Sequence, residues 1–355
     1  MDALISPGAV AGVALALAHP SGGRALGRAL RERGSAEAVA RRGGEGVAPV
    51  GAATLREARA LLTRLDGSGT GVLAYGAPGW PARLSDLHDP PPVLFVRGRT
   101  ALLERPAVAF VGARNASEYG LRHAERLAAR VARAGVTVIS GLALGIDGAA
   151  HGGALATEAS TIAVLGAGLD VDYPRRHRIL RERIAAEGLI VTEFVPGTPP
   201  LAHHFPRRNR IVAALASAVV VVEAGKGSGS LITVDHALDL GRAVYAVPGP
   251  IDSARSAACN QLLREGAHVV VGGEGFLEDL GLLIPCAVST PGPARAPGEG
   301  PARAVWEALG RGIDPNALVA HTRLDAGLVA RALTELELQG FVTRTAGDRY
   351  VRVED

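Results

Sequence analysis

The sequence predicts an α/β protein: an extended Rossmann-like domain built on a parallel sheet, with a small helical domain before it and a winged-helix domain after it. Three observations carry this reading. From Ala107 onward, short β-branched runs alternate with helix-length stretches, the pattern of a parallel sheet covered on both faces. The first 70 residues show helical patterns broken by glycine. A Pro/Gly-rich stretch near residue 290 is followed by three helical patterns and a two-strand hairpin.

In chain order, residues 1–70 form the helical domain, with nine Arg against six acids. Its run AVAGVALALA (Ala9 to Ala18) has the length of a signal-peptide core, but Asp2 precedes it and no Lys or Arg does, so it reads as a helix. Residues 71–285 form the Rossmann-like domain. Its opening stretch GAPGWPARLSDLHDPPPVLFVRG is turn-rich, and its prolines argue for an extended connector. VAFVG, VTVIS, TIAVLG, LIVTE, AVVVVE, AVYAVPG and HVVVG then read as buried strands. Residues 286–301 are the linker, and residues 302–355 the winged helix. That tail carries seven Arg and eight acids, a balance that suits a protein contact better than DNA reading.

Composition narrows the function classes. A chain of 355 residues with 48% hydrophobic content has ample core, and disorder is excluded for it as a whole. The formal charge is +3, and every basic residue except Lys226 is Arg, a skew that reflects coding bias as much as chemistry. Local clustering of charge therefore counts for more than the total. Cys259 and Cys286 lack paired spacing, which argues against a disulfide framework or a zinc site and fits a reducing, cytoplasmic setting. The run Ile211 to Val222 is too short to span a bilayer, so no membrane role is expected.

Four stretches carry chemistry. After the first strand the text is VGARNASEYG, without the dinucleotide fingerprint; Gly112 permits close backbone approach, and Arg114 sits at the carboxyl edge of the sheet as an anion ligand or as a solvated turn residue. In SGLALGIDGAAHGGAL, Asp147 is read as a helix N-cap with His151 one turn on, and Gly141 and Gly145 free backbone amides for a phosphate path. EAGKGSGSLIT resembles a phosphate cradle, with Lys226 exposed to the ligand and Ser228 or Ser230 capping the helix. Its lysine spacing is not that of a Walker loop.

The fourth feature is a pair of twins, YPRRHRI (173–179) and FPRRNRI (205–211). Each is read as placing proline in a helix's first turn with arginines at its positive end, which is unfavourable unless an anion arrives. In the second twin Phe205 offers a stacking face beside Arg207, Arg208 and Arg210, with Asn209 between them. Stacking contributes about 1–3 kcal/mol per base, against about 0.3–1 kcal/mol lost by a misplaced charge. The competing reading is a hydrophobic staple by Phe205 with solvated arginines. In the first twin Arg175 and Arg176 would extend the phosphate track, and His177 takes the place of Asn209.

Read in series, VGAR, SGLALGIDGAAH, TIAVLGAGLDVDYP, FPRRNRI, VVVEAGKGSGSLIT and AVYAVPG resemble the DprA/Smf family of DNA-processing proteins. The resemblance implies a cytoplasmic homodimer without catalytic residue, metal or cofactor. Such a protein binds and protects single-stranded DNA during natural transformation and loads the RecA recombinase, with single-strand-binding protein as a further partner. It also implies a basic DNA pocket drawn from Gly112, Arg114, an arginine of YPRRHRI, Phe205, Arg208, Asn209 and Arg210, with Ser228 and Ser230 at its edge. Two positions depart from the family: Ala113 stands where a small hydroxyl residue is common, and Ala258 near a usual glycine. Two alternatives stay open. A nucleoside-phosphate hydrolase would share the fold, but Thr233 occupies the place of its catalytic Glu. A protein adaptor would use the sheet domain only as a scaffold.

Overall fold

The computed structural model describes residues 4–157, 160–283, 300–309, 315–339, 341–345 and 349–352. The chain divides into two compact units, Met1–Ser289 and Thr290–Asp355. The expected linker, residues 286–301, lies outside the described residues as far as residue 299.

The first unit opens with α1 (Pro7–Ala18), where Ser6 accepts from the Ala9 N–H at 3.2 Å. This helix is apolar around its whole circumference, and Ala9 to Ala16 are buried accordingly. It is followed by α2 (Arg24–Arg33), α3 (Ala36–Arg42, capped by Ser35) and α4 (Ala52–Leu65). The stretch expected to be a connector instead contains β1 (Gly71–Ala74) and β2 (Val93–Gly98), paired antiparallel to each other. β2 escapes the penalty of its prolines because they end at Pro92, just before the first ladder residue.

Next come β3 (Ala107–Val111), α5 (Glu118–Arg133), β4 (Thr137–Ser140), α6 (Ile146–Leu155), β5 (Thr161–Val164), α7 (Arg178–Glu187) and β6 (Leu189–Thr192). They are followed by α8 (His204–Leu215), β7 (Ala218–Val221), α9 (Leu231–Asp239), β8 (Ala243–Ala246), α10 (Ala257–Arg264), β9 (His268–Val269) and α11 (Gly273–Leu283). The sheet order is β1-β2-β6-β5-β4-β3-β7-β8-β9. Its strands from β3 to β9 are parallel, and β2 joins β6 antiparallel. The last expected strand, HVVVG, shrinks to two exposed residues because it lies at the sheet edge.

Both faces are covered. α8, α9 and α10 lie on one, burying Ile211, Leu215, Val234 and Ala258 against Ile139, Val164 and Val219. On the other, α5, α6 and α11 cover Val108, Phe110, Val138 and Val220. α1, α4 and α7 continue that layer over Phe95, Ala163 and Ile190. The helical N-terminal residues therefore share a core with the sheet, including Leu142 and Leu165 at its carboxyl edge. Among the described residues no helix is long and apolar enough to cross a membrane.

The second unit has α12 (Pro301–Ala308), α13 (Pro315–Thr322) and α14 (Ala326–Leu338), then the antiparallel hairpin of β10 (Val342–Thr345) and β11 (Arg349–Arg352). Val305, Leu318, Val329, Leu333, Leu336 and Val342 form its core. Three helices and a hairpin are the winged-helix arrangement that the sequence predicts.

Candidate nucleic-acid interface

In an open parallel sheet the natural ligand crevice lies where the strand order reverses, here between β3 and β7. That crevice is filled by protein. Glu223, buried just past β7, accepts from the Ser117 N–H at 3.1 Å and from the Ser117 hydroxyl. Ser117 in turn caps α5. The Ala113 N–H donates to the Glu223 carbonyl at 2.7 Å, and the Ala113 carbonyl accepts from the Ile146 N–H at 3.2 Å. The loop after β3 is thereby rigid, with Arg114 exposed at its tip. Glu223 is fully engaged in this brace.

The open cleft lies beside the filled crevice, over the carboxyl ends of β3 to β5. Arg114 forms one wall, and Gly141 to Leu144 after β4 form another. Leu165 to Ala167, Tyr173 and Pro174 follow from β5, while α8 contributes Phe205 and Arg208. Helical periodicity sorts the second twin. Phe205 and Arg208, three residues apart, face the cleft, whereas Arg207 and Arg210, also three apart, face Glu193.

Arg208 is buried and donates to the Val164 carbonyl at 2.8 Å. A side chain at Gly141 would collide with its guanidinium, so glycine there leaves room for Arg208 in this position. The Phe205 ring lies against Gly166, where a Cβ would come within 2.9 Å of it. Arg114 sits over that ring at 5.1 Å from its centroid, and Tyr173 tilts against it at 5.4 Å. Leu142 is held in the left-handed region at φ 59°, a conformation that costs about 1–2 kcal/mol and is retained here by burial of its side chain.

Burial pulls the Arg208 guanidinium down from 12.5 to about 10; Asp147 opposes this and Arg114 adds to it. Arg208 stays charged at neutral pH, with no carboxylate within ion-pair distance among the described residues. Asp147 is not the helix N-cap that the sequence suggests. Gly145 holds that position, and Asp147 in the first turn reaches back to accept from the N–H groups of Gly141 and Ala143 at 3.1 and 3.2 Å. Burial raises its carboxyl above the ordinary value, against the pull of Arg208 and those bonds. The N–H groups of Leu142, Leu144, Gly166 and Ala167, all residues that line the cleft, have no acceptor among the described residues.

His151 lies beneath the cleft, its Nδ1 2.8 Å from the Thr161 hydroxyl. Thr161 donates its own proton to the Val138 carbonyl, so Nδ1 carries the imidazole hydrogen and the buried Nε2 has no partner. Burial, with smaller contributions from His177 and Arg208, lowers its pKa from 6.5 to about 3. Between those values the unfolded chain binds a proton that the folded chain does not. Stability is therefore full above about pH 6.5 and declines toward pH 3, by about 1.4 kcal/mol per pH unit for this group. Urea unfolding across that window should show a shallower acid decline for His151→Asn than for the wild type.

The other predicted residues separate by place. Gly112 lies at the strand end against Ile146 and Glu223, below the cleft. Arg175 and Arg176 are exposed in a short 3-10 turn beyond Pro174, and helix α7 begins only at Arg178, so the first twin lacks the helical start that both were expected to share. Its His177 turns inward, with Nδ1 3.1 Å from the Leu142 carbonyl. Asn209 reaches the neighbouring cradle and donates to the Gly229 carbonyl at 3.2 Å. There Lys226 is exposed, and the Ser228 and Ser230 hydroxyls bond each other at 2.8 Å instead of capping α9. Arg175, Arg176, Lys226 and Arg114 have no carboxylate within ion-pair distance among the described residues.

Arg207 and Arg210 are turned away from the cleft. Both donate to the same Glu193 oxygen at 2.7 Å. Arg207 also donates to the Pro20 carbonyl at 2.5 Å, and Arg210 to Asp89 at 3.1 Å. This buried group ties α8 to the loops after α1 and before β2. Sequence reasoning misses Glu193, Tyr173 and Leu142; only the three-residue spacing within FPRRNRI signals that its arginines divide between two faces. Among the described residues no group of three or more His, Cys, Asp or Glu could hold a metal ion.

Comparison with known proteins places the chain in a family. Residues 71–281 match the family model of DNA recombination-mediator protein A, and residues 289–348 match the DprA winged helix domain. Protein Smf of Synechocystis is 35% identical over 312 residues, covering 78% of each chain. The X-ray structure of DNA processing protein A from Streptococcus pneumoniae superposes with a TM-score of 0.59 at 39% identity, covering 64% of this chain and 81% of that one. A structure of DNA processing protein A from Helicobacter pylori, described for its single-stranded DNA binding mode, has a TM-score of 0.54 at 31% identity and covers 59% and 95%. With more than half its length under the family model and its winged helix under a second, this chain belongs to the DNA recombination-mediator protein A family.

Proposed function

We propose that this protein binds single-stranded DNA in the cleft over the carboxyl ends of β3 to β5 and delivers it to the RecA recombinase during DNA uptake. One observation carries the reading: Arg114 and Arg208, neither within ion-pair distance of a carboxylate among the described residues, line one cleft with the aromatic ring of Phe205, over which Arg114 lies. Arginines meet phosphates, and the apolar floor meets an unpaired base. A duplex keeps its bases stacked inside and offers only the phosphates, so the cleft favours a single strand. Arg175, Arg176 and Lys226, with Asn209, Ser228 and Ser230, extend the track on either side, while Arg207 and Arg210 hold the helix. The single-stranded DNA binding mode described for the Helicobacter pylori relative supports this reading.

RecA delivery, action as a homodimer, contact with single-strand-binding protein and a cytoplasmic location belong to the same proposal; the family's description as a recombination mediator supports the first. The test is fluorescence anisotropy of dT oligomers and of duplex across a salt series. For a single strand the slope of log affinity against log salt is about −0.7 per phosphate contact. Contacts by Arg114 and Arg208 alone predict a slope of about −1.4, and contacts by all five free cations about −3.5. Equal, salt-insensitive binding of both forms would defeat the proposal.

A further inference from the structure

The chain has few aromatic side chains, five Tyr, six Phe and two Trp, and nearly all of those described are buried or half-buried. Among the described residues only Tyr119 and Tyr173 are exposed aromatics, each at 38%. Tyr119 is committed to the fold: its hydroxyl donates to the Pro248 carbonyl at 3.1 Å, and its ring lies 4.2 Å from His123. The Tyr173 hydroxyl has no partner among the described residues, and its ring lines the cleft.

Phe205, the ring that the sequence singles out, is already engaged on three sides. Arg114 lies over it at 5.1 Å, Tyr173 tilts against it at 40°, and its edge rests on the Gly166 backbone. A base entering the cleft meets Tyr173 first. We infer that Tyr173 is the base-stacking residue of the cleft, with Phe205 as its backing and Arg114 as the opposing jaw. An exposed tyrosine suits this role, because its ring takes any base by its face while its hydroxyl stays in contact with water. The ligand recognised is thus base-bearing single strand rather than phosphate alone. This inference rests on the reading of the cleft as a DNA site.

The experiment compares a dT oligomer with an abasic tetrahydrofuran oligomer of the same length, for the wild type, Tyr173→Leu and Tyr173→Phe. Since Tyr173 is exposed and makes no hydrogen bond through its hydroxyl, both variants should fold. The wild type should prefer dT; Tyr173→Leu should lose about tenfold on dT and nothing on the abasic strand, and Tyr173→Phe should keep the preference. Full preference retained in Tyr173→Leu overturns this inference and leaves the wider reading standing; a wild type that binds both oligomers equally overturns this inference together with the base contact of the wider reading and leaves phosphate binding alone. A wild type that binds neither oligomer removes both.

Discussion

Arg208→Met should lower affinity for a dT oligomer ten- to hundredfold while leaving the fold as stable as before. A hydrogen bond from a charged donor contributes about 1.5–3 kcal/mol, and an arginine meeting a phosphate in a water-poor cleft lies in that range. The stability half of this expectation follows from what limits Arg208 in the free protein. Burial is the first cause of its lowered pKa, and Asp147, beyond ion-pair distance, offsets it only in part, so the charged form is held against desolvation without a direct ion pair. Methionine fills similar space without a charge. Asp147 keeps its bonds from Gly141 and Ala143. Anisotropy titration and urea unfolding of the same preparation check the two halves.

Glu193→Gln should do the reverse. Its carboxylate is buried and receives both Arg207 and Arg210, whose side chains are 19% and 5% exposed. Removing one member of a buried ion pair costs about 3–5 kcal/mol, because the partner charge is left uncompensated. Asp89 still accepts from Arg210, which places the expected loss near the lower end, about 3 kcal/mol. Phe205 and Arg208 lie on the other face of α8, so affinity per folded molecule should change less than tenfold. Urea unfolding gives the stability, and anisotropy well below the unfolding midpoint gives the affinity. One helix thus carries two groups of arginines with separable effects, and a single variant that lost both properties would contradict that division.

The division also shows what is legible in the sequence. β3 to β8 announce themselves, because a strand covered on both faces must be apolar throughout, and VAFVG or AVVVVE can satisfy little else. β1 and β2 are hidden: GVLA is four residues long, and VLFVRG follows directly on three prolines. β2 is paired with β6, a tertiary partner that local pattern does not reveal, and β1 pairs with β2 alone. At the site, Arg114, Phe205 and Arg208 are legible as residues that an anion would suit. The fate of Arg207 and Arg210 is not, since it depends on Glu193, Asp89 and Pro20, the last 187 residues away in sequence. The twin heptads mislead in the same way. Their shared spelling draws attention to arginines, whereas in the structure they meet through their leading aromatics, Tyr173 and Phe205.

The central claim is that the strand lies in this cleft, and photocrosslinking tests it most directly. A dT oligomer carrying 4-thiothymidine, irradiated with the full-length protein and mapped by mass spectrometry, should attach to the peptides that contain Tyr173 and Phe205. Attachment should fall with Arg208→Met and with added salt. Crosslinks confined to residues 300–352 would place the DNA on the winged helix and contradict the account.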